Sequence, residues 1–170
     1  IFLGDEHPKS FLDVPCGDFH WMKNIDFSGI NYTGLDLVGD LIDQNNANYK
    51  KDNIKFIQKD IVEDSLPYSD IIFVRDCFVH LEDLQIINAM KNIIQSGSKI
   101  LISTTFKGVM ENLISTDYDR WRPINLEKSP FLFPKPKIYL DDRDISNPID
   151  SDKWMGVWKI KNIREYVENW

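Results

Sequence analysis

Four short apolar segments in the first 80 residues each run into an aspartate, and no other feature constrains the fold as strongly. Residues 11–14 contain Asp13, Asn31–Asp36 closes on Asp36, Ile54–Gln58 leads to Asp60, and Ile71–Val74 runs into Arg75-Asp76. Helical patterns separate or follow them. Residues 18–24 make a short one. Residues 37–49 make a second, with Leu37, Leu41 and Ile42 on one face, and residues 82–95 a third, with Leu84, Ile87 and Ile94 at helical spacing and Gly97 as a stop. Residues 99–105 read as a fifth strand, while residues 61–69 hold at most a helical turn. The order β-α-β-α-β-β-α-β implies a doubly wound, mostly parallel sheet with right-handed crossovers and helices on both faces. Residues 138–140 and 157–160 are expected to close it with an antiparallel strand near the C-terminus, and residues 163–167 to add a terminal helical turn.

The 170 residues fit one domain, 1–170, led in by a short polar stretch, residues 1–10, around Phe2 and Leu3. Residues 106–137 break the alternation. They carry Pro123, Pro130, Pro134 and Pro136 with Trp121, Phe131 and Phe133, and so long an irregular stretch reads as a substrate lid after the fifth strand. The net charge of −7 argues against general nucleic-acid binding, which needs a basic footprint. No apolar run approaches the roughly 20 residues of a membrane span. Two cysteines make no disulfide framework, so a reducing, cytoplasmic location is expected.

In a parallel sheet the four acids share one edge, where open α/β folds bind ligands. A single aspartate there often only caps a helix; four in succession point to a crevice. An acid closing the second strand, about 20 residues beyond the first turn, is placed to hold a ribose diol, each charged hydrogen bond contributing about 1.5–3 kcal/mol. Dinucleotide sites need Gly-x-Gly-x-x-Gly for backbone approach to the pyrophosphate. Here the corresponding residues are Pro15, Gly17 and His20. One glycine favours an adenosyl ligand without phosphates, S-adenosylmethionine. A nicotinamide-dependent oxidoreductase, and a cofactor-binding or scaffolding domain without catalysis, stay open as alternatives.

The stretch Leu12-Asp13-Val14-Pro15-Cys16-Gly17-Asp18-Phe19 resembles the first motif of class I S-adenosylmethionine-dependent methyltransferases, whose usual form is an acid followed by Gly-x-Gly-x-Gly. It departs at Pro15 and Phe19. It is similar to a small bacterial-type subgroup with Pro-Cys-Gly-Asp-Phe-x-Trp-Met. The likeness returns at Arg75-Asp76-Cys77-Phe78-Val79-His80-Leu81, at Thr104-Thr105-Phe106 and at Trp121-Arg122-Pro123-Ile124-Asn125-Leu126, and covers residues 11–136. The resemblance implies that Asp13 lies against the methionine part of the cofactor with Pro15, Cys16 and Gly17, and that Asp18 belongs to the same binding turn. Phe19 and Trp21 would wall the pocket, with a place in the core as the near-equal alternative for two aromatics in a short helix. Asp36 would hold the ribose with Leu37 beside the adenine, Asp60 would reach the adenine amino group with Ile61 on the ring, and Arg75 and Asp76 would sit near the methyl group.

Methyl transfer from a sulfonium is an in-line displacement, and a base is needed only for a hydroxyl or a protonated amine. Asp76 and His80 are the candidates for that role; for His80 a helix-entry hydrogen bond is the equal alternative. Trp121, Arg122, Phe131 and Phe133 are the expected substrate contacts, with a structural salt bridge as the equal alternative for Arg122. Since no Asn-Pro-Pro-aromatic motif follows the fourth strand, the expected acceptor is an oxygen or nitrogen of a small molecule or sugar, with S-adenosylhomocysteine as product. Cys16 and Cys77 fall near the same edge, but without Cys-x-x-Cys or paired-histidine spacing no metal is expected, only buried thiols.

Overall fold

The computed structural model describes residues 7–113 and 121–168. The start of the expected lead-in (residues 1–6) and the middle of the expected lid (residues 114–120) lie outside the described residues. Among the described residues seven strands form one sheet: β1 (Ser10–Asp13), β2 (Asn31–Asp36), β3 (Ile54–Gln58), β4 (Ile71–Val74), β5 (Ile100–Phe106), β6 (Ile138–Asp141) and β7 (Lys153–Lys159). Their spatial order is β3-β2-β1-β4-β5-β7-β6. The first five pair in parallel, and β7 runs antiparallel to both β5 and β6. This is the Rossmann-like fold expected from the alternation, with the strand order switching sides between β1 and β4: β2 and β3 lie on one side of that point, and β4 and β5 on the other.

Burial explains the composition of each strand. All four residues of β4 and all seven of β5 are buried, as central strands covered on both faces must be. On one face Phe11, Phe19, Phe27, Tyr32 and Phe56 form an aromatic cluster, with centroids about 5–6 Å apart, under α1 (Gly39–Tyr49). On the other face α2 (Asp83–Gln95) and α3 (Ile160–Glu168) pack over Ile72, Val74 and Leu101.

Helix α2 buries Ile94, as the spacing suggested, but turns the rest of its inward stripe away from Leu84. Ile86, Ala89, Met90, Ile93 and Ile94 are buried, whereas Leu84 is 66% exposed. Its start is fixed by a capping box, Glu82 with Gln85, and from there the i, i+3, i+4, i+7 stripe runs through Ala89 and Met90, which a search for Leu and Ile passes over. In the same way α1 buries Ile42 while Leu37, ahead of the helix, is 62% exposed. Residues 18–24 form turns and a 3-10 helix, Met22–Asn24.

The largest difference from expectation is the stretch after β5. Residues 121–137 hold no helix or strand, yet they cover the α2/α3 face of the sheet. Ile124, Leu126, Phe131 and Phe133 are core residues, and Phe131 is 0% exposed. The backbone is tied down throughout: Phe106 N–H donates to Ile124 O (2.9 Å), Phe133 N–H to Leu126 O (2.8 Å) and Arg122 N–H to Val79 O (2.9 Å). Asn112 Nδ2 donates to the carbonyls of Asn125 (2.9 Å) and Ser129 (2.8 Å), and its Oδ1 accepts from Asn125 N–H (2.8 Å). Residues 121–137 are therefore in large part packed against the sheet, while Met110 and Leu113 ahead of them are exposed.

Strand β7 is locked by Trp158, whose indole donates to Pro134 O at 2.7 Å and lies across Gly156. A Cβ on Gly156 would sit 2.1 Å from the Trp158 ring, with no room to move against the buried core. Gly156→Ala is expected to destabilise the fold by about 1–3 kcal/mol through overpacking, read as a lower urea midpoint at unchanged slope. An unchanged midpoint would show that the ring can leave its place freely.

Candidate functional site

At the C-terminal edge of the sheet, the turn after β1 and the end of β2 enclose a crevice of about 220 Å³ lined by Asp13, Pro15, Cys16, Gly17, Asp18, Trp21, Asp36, Phe73 and Arg75. The chain reaches it because β1 ends at Asp13 and turns sharply: the Val14–Pro15 peptide is cis, and Gly17 has φ +53°. At Gly17 the positive φ suits a residue without Cβ, and the space above its Cα is open. Phe19 has φ +57°, a left-handed conformation that a bulky residue adopts at a cost of order 1–3 kcal/mol. Its ring is anchored by Tyr32, Tyr49 and Phe56 at 5.0–5.3 Å. Phe19 therefore belongs to the aromatic core and not to the crevice wall, because the left-handed turn swings the ring beneath the sheet edge.

Asp36 joins the two halves of the crevice. Its Oδ2 accepts from Gly17 N–H and its Oδ1 from Val38 N–H, both at 3.0 Å. Asn45 of α1 reaches back to donate to Gly17 O at 2.7 Å. Gly34 allows this closeness, since a Cβ there would lie 3.0 Å from the Cys16 side chain. Asp13, 2% exposed, receives the Tyr32 hydroxyl at 2.6 Å. Burial pushes its carboxyl up to about 7, against the Tyr32 hydrogen bond; nearby Asp36 adds to the rise and Arg75 opposes it. Burial likewise raises the Cys16 thiol, and carries that of Cys77 up to about 12; both are inert thiols at neutral pH.

Beyond β4 the charges form a bound set. Arg75 pairs with Asp142 through two nitrogens (3.1 and 3.2 Å) and with Asp76 (3.2 Å), and its guanidinium lies 5.2 Å from the Trp21 ring centre. Lys153, at the start of β7, reaches Asp76 (3.2 Å), Asp150 (3.3 Å) and Asp142 (3.6 Å). Burial opposes its charge, but Asp76 and Asp142 outweigh that and hold its pKa above the ordinary lysine range. Asp76 sits at φ +52° with its N–H on Thr104 Oγ1 at 2.9 Å.

The structure thus brings together Asp13, Pro15, Cys16, Gly17, Asp18, Trp21, Asp36 and Arg75. Leu37 stands exposed beside them. Asp60 follows β3, where its Oδ1 accepts from Val62 N–H at 2.7 Å and caps a turn. Ile61 is buried in the core, with its carbonyl held by Asn92 of α2 at 3.0 Å. Arg122 is also a wall residue: it pairs with Asp83 and donates to Leu81 O (3.1 Å) and to Leu113 O. With Phe131 in the core, Trp121, half-buried and edge-on to Phe106 at 5.8 Å, is the expected substrate contact that keeps some exposure. His80 is exposed in the 3-10 turn Phe78–His80 after β4. Sequence reasoning missed Tyr32, Phe73, Asn45, Asp142 and Lys153. The first two lie on strands flanking β1 and follow from strand adjacency, but the pairing of Lys153 with Asp76 spans 77 positions and has no local signal.

A family model described as a methyltransferase domain matches residues 12–102. No curated protein matches. Among solved structures, the N-methyltransferase NodS of Bradyrhizobium japonicum, in complex with S-adenosyl-L-homocysteine, gives a TM-score of 0.66 at 15% identity over 89% of this chain and 78% of that one. The methyltransferase domain of bacterial CtHen1-C gives 0.63 at 17% identity over 89% of each chain. Human N-acetylserotonin methyltransferase is longer, and the chain spans 30% of its length (TM-score 0.49, 16% identity, 58% of this chain). At these identities the structural likenesses speak for the fold. The matched model spans more than half of the sequence, from β1 through the crevice turn, β2 and β4 into β5, and the chain belongs to the methyltransferase-domain family.

Proposed function

We propose that this chain transfers a methyl group from S-adenosylmethionine to an oxygen or nitrogen of a small-molecule or saccharide acceptor, leaving S-adenosylhomocysteine. The observation that carries the reading is the Asp36–Gly17 contact: a carboxylate at the end of the second strand held 3.0 Å from the N–H of a single-glycine turn. The donor set fits such a cofactor. Asp36 retains lone pairs for vicinal hydroxyls, the space above Gly17 is open, and no run of glycines exists for a pyrophosphate to approach. In this assignment Asp36 holds the ribose, exposed Leu37 and the Asp60 turn border the adenine, and Asp13 with residues 15–18 faces the amino-acid end. Trp21 and Arg75 close that end.

When bound, the cofactor supplies an electrophilic methyl group on a positively charged sulfur. This chain's residues orient the acceptor, exclude water and accept a proton where the nucleophile carries one. Asp76 and His80 flank the acceptor side after β4 and are the proposed bases. The Lys153 bridge holds Asp76 and Arg75 in place, and Trp121 borders the acceptor. The net charge of −7 suits neither nucleic acid nor an anionic membrane surface as partner, and among the described residues no helix is long and apolar enough to cross a membrane.

Calorimetric titration with S-adenosylhomocysteine and with NAD tests the cofactor; binding of NAD alone would overturn the reading in favour of an oxidoreductase. Tight binding with no methyl transfer to any acceptor in small-molecule extracts would leave a cofactor-binding domain. Asp36→Ala is expected to weaken S-adenosylhomocysteine about 10–150-fold, the equivalent of about 1.5–3 kcal/mol. Unchanged affinity in a folded variant would remove the ribose role. Lys153→Met strands Asp76, Asp142 and Asp150 without their shared cation and is expected to lower stability by about 1–3 kcal/mol, less than for a fully buried pair because the carboxylates are partly exposed. Cofactor affinity should stay within a few-fold, and a stability equal to that of the parent would show that the bridge holds nothing.

A further inference from the structure

Asp13 lies at the floor of the crevice, almost fully buried, with the Tyr32 hydroxyl 2.6 Å from its Oδ2. The charged and titratable groups around it are Tyr32 and Asp36 from β2, Cys16 and Asp18 from the turn, and Arg75 from the exit of β4. Arg75 is the cation of this set, and its guanidinium is turned to Asp142 and Asp76 and laid against Trp21. Asp36 accepts two backbone N–H groups. A second anion at the floor therefore has one neutral hydroxyl for support and a carboxylate as neighbour. Burying a charge on those terms is unfavourable until a positive charge arrives.

We infer that Asp13 holds a proton in the free protein and releases it when a cationic ligand enters the crevice, with Tyr32 setting the pH at which the exchange occurs. The O–H bond of the carboxyl breaks, its electron pair stays on Asp13, and the proton passes to solvent. This rests on the S-adenosylmethionine reading and adds to it that capture of the cation is linked to proton release. A carboxyl raised to about 7 is in the right range to respond at neutral pH. Below that pH every binding event must expel a proton, so affinity rises with pH and levels off above it. Tyr32 donates to the anion and so favours ionisation; without its hydroxyl the levelling should move to higher pH. In the free protein the sign is opposite. Asp13 ionises more readily unfolded, near 3.8, so its contribution to stability falls as pH rises from about 4 to 7.

Isothermal titration of the full chain with S-adenosylmethionine between pH 5.5 and 8, in two buffers of different ionisation enthalpy, tests the inference. Expected are an affinity that gains up to tenfold per pH unit below the carboxyl's midpoint, and a net proton released per site near pH 6. In Asp13→Asn the pH slope and the proton release should vanish. In Tyr32→Phe, which keeps the ring in the aromatic cluster, the slope should persist to higher pH. Melting of the unliganded proteins gives a readout independent of ligand: the advantage of Asp13→Asn over the parent should grow from pH 5 to pH 8. Parent affinity independent of pH, or a slope that Asp13→Asn retains, would overturn the inference while leaving the cofactor assignment intact. Binding at no pH would overturn the cofactor assignment and the inference with it, whereas the melting comparison alone reports the proton on Asp13.

Discussion

The crevice depends on one side chain that is charged, nearly buried and bonded only to backbone among the described residues. Asp36 ends β2, and its two oxygens take the N–H of Gly17 from the neighbouring turn and of Val38 ahead of α1. Hydrogen bonds to a carboxylate are the strong ones, of about 1.5–3 kcal/mol each. The one to Gly17 crosses a parallel strand pair whose register puts Asp13 opposite Gly34, two residues short of Asp36, while the one to Val38 is local. The offset leaves the first turn overhanging the end of β2, so one carboxylate pins the turn and orients the start of the helix. Removing it would release the turn and the helix entry together.

Much of the architecture was legible because it repeats: a strand, an acid, a turn, a helix. Asn31–Asp36 and Ile54–Gln58 have the bounds that their sequence suggested, since both end at a sharp change in polarity. Eight of the residues singled out by motif line the crevice, because a parallel sheet delivers successive strand ends to one edge without further instruction. Failures came where the deciding contact is long-range. Phe131 looked like a lid residue because the surrounding prolines forbid a helix, yet prolines do not prevent burial, and Phe131 sits in the core; for Arg122 the structural salt bridge, to Asp83, is the alternative that holds. Phe19 looked like a lost glycine. Its backbone has the left-handed conformation that glycine favours, and its ring serves as an anchor in the aromatic cluster.

The C-terminal quarter of the chain adds what the first hundred residues cannot. Strand β7 returns antiparallel beside β5, so its first residue, Lys153, faces Phe106 at the crevice end of the sheet. From there its ammonium meets carboxylates from two other segments, Asp76 after β4 and Asp142 after β6. A buried lysine among aspartates contributes little net stability when compared with apolar packing, but it is a demanding geometric constraint, and it ties the β6–β7 connection to the turn that carries Arg75 and Asp76.

Two kinds of carboxylate therefore coexist within one edge. Asp76 and Asp142 are neutralised by cations that the fold itself supplies. Asp13 is given a neutral hydroxyl instead, from a tyrosine embedded in the aromatic cluster. The nearest cation capable of balancing it, Arg75, is drawn off by three competing contacts: the two aspartates and the face of Trp21. Had Arg75 been left to pair with Asp13, the floor would be electrically complete and offer nothing to a positive ligand. Spending that cation on Asp76 and Asp142 keeps the acceptor side rigid and the floor short of positive charge. The same set of ion pairs that organises one half of the edge thus leaves the other half ready for a cation.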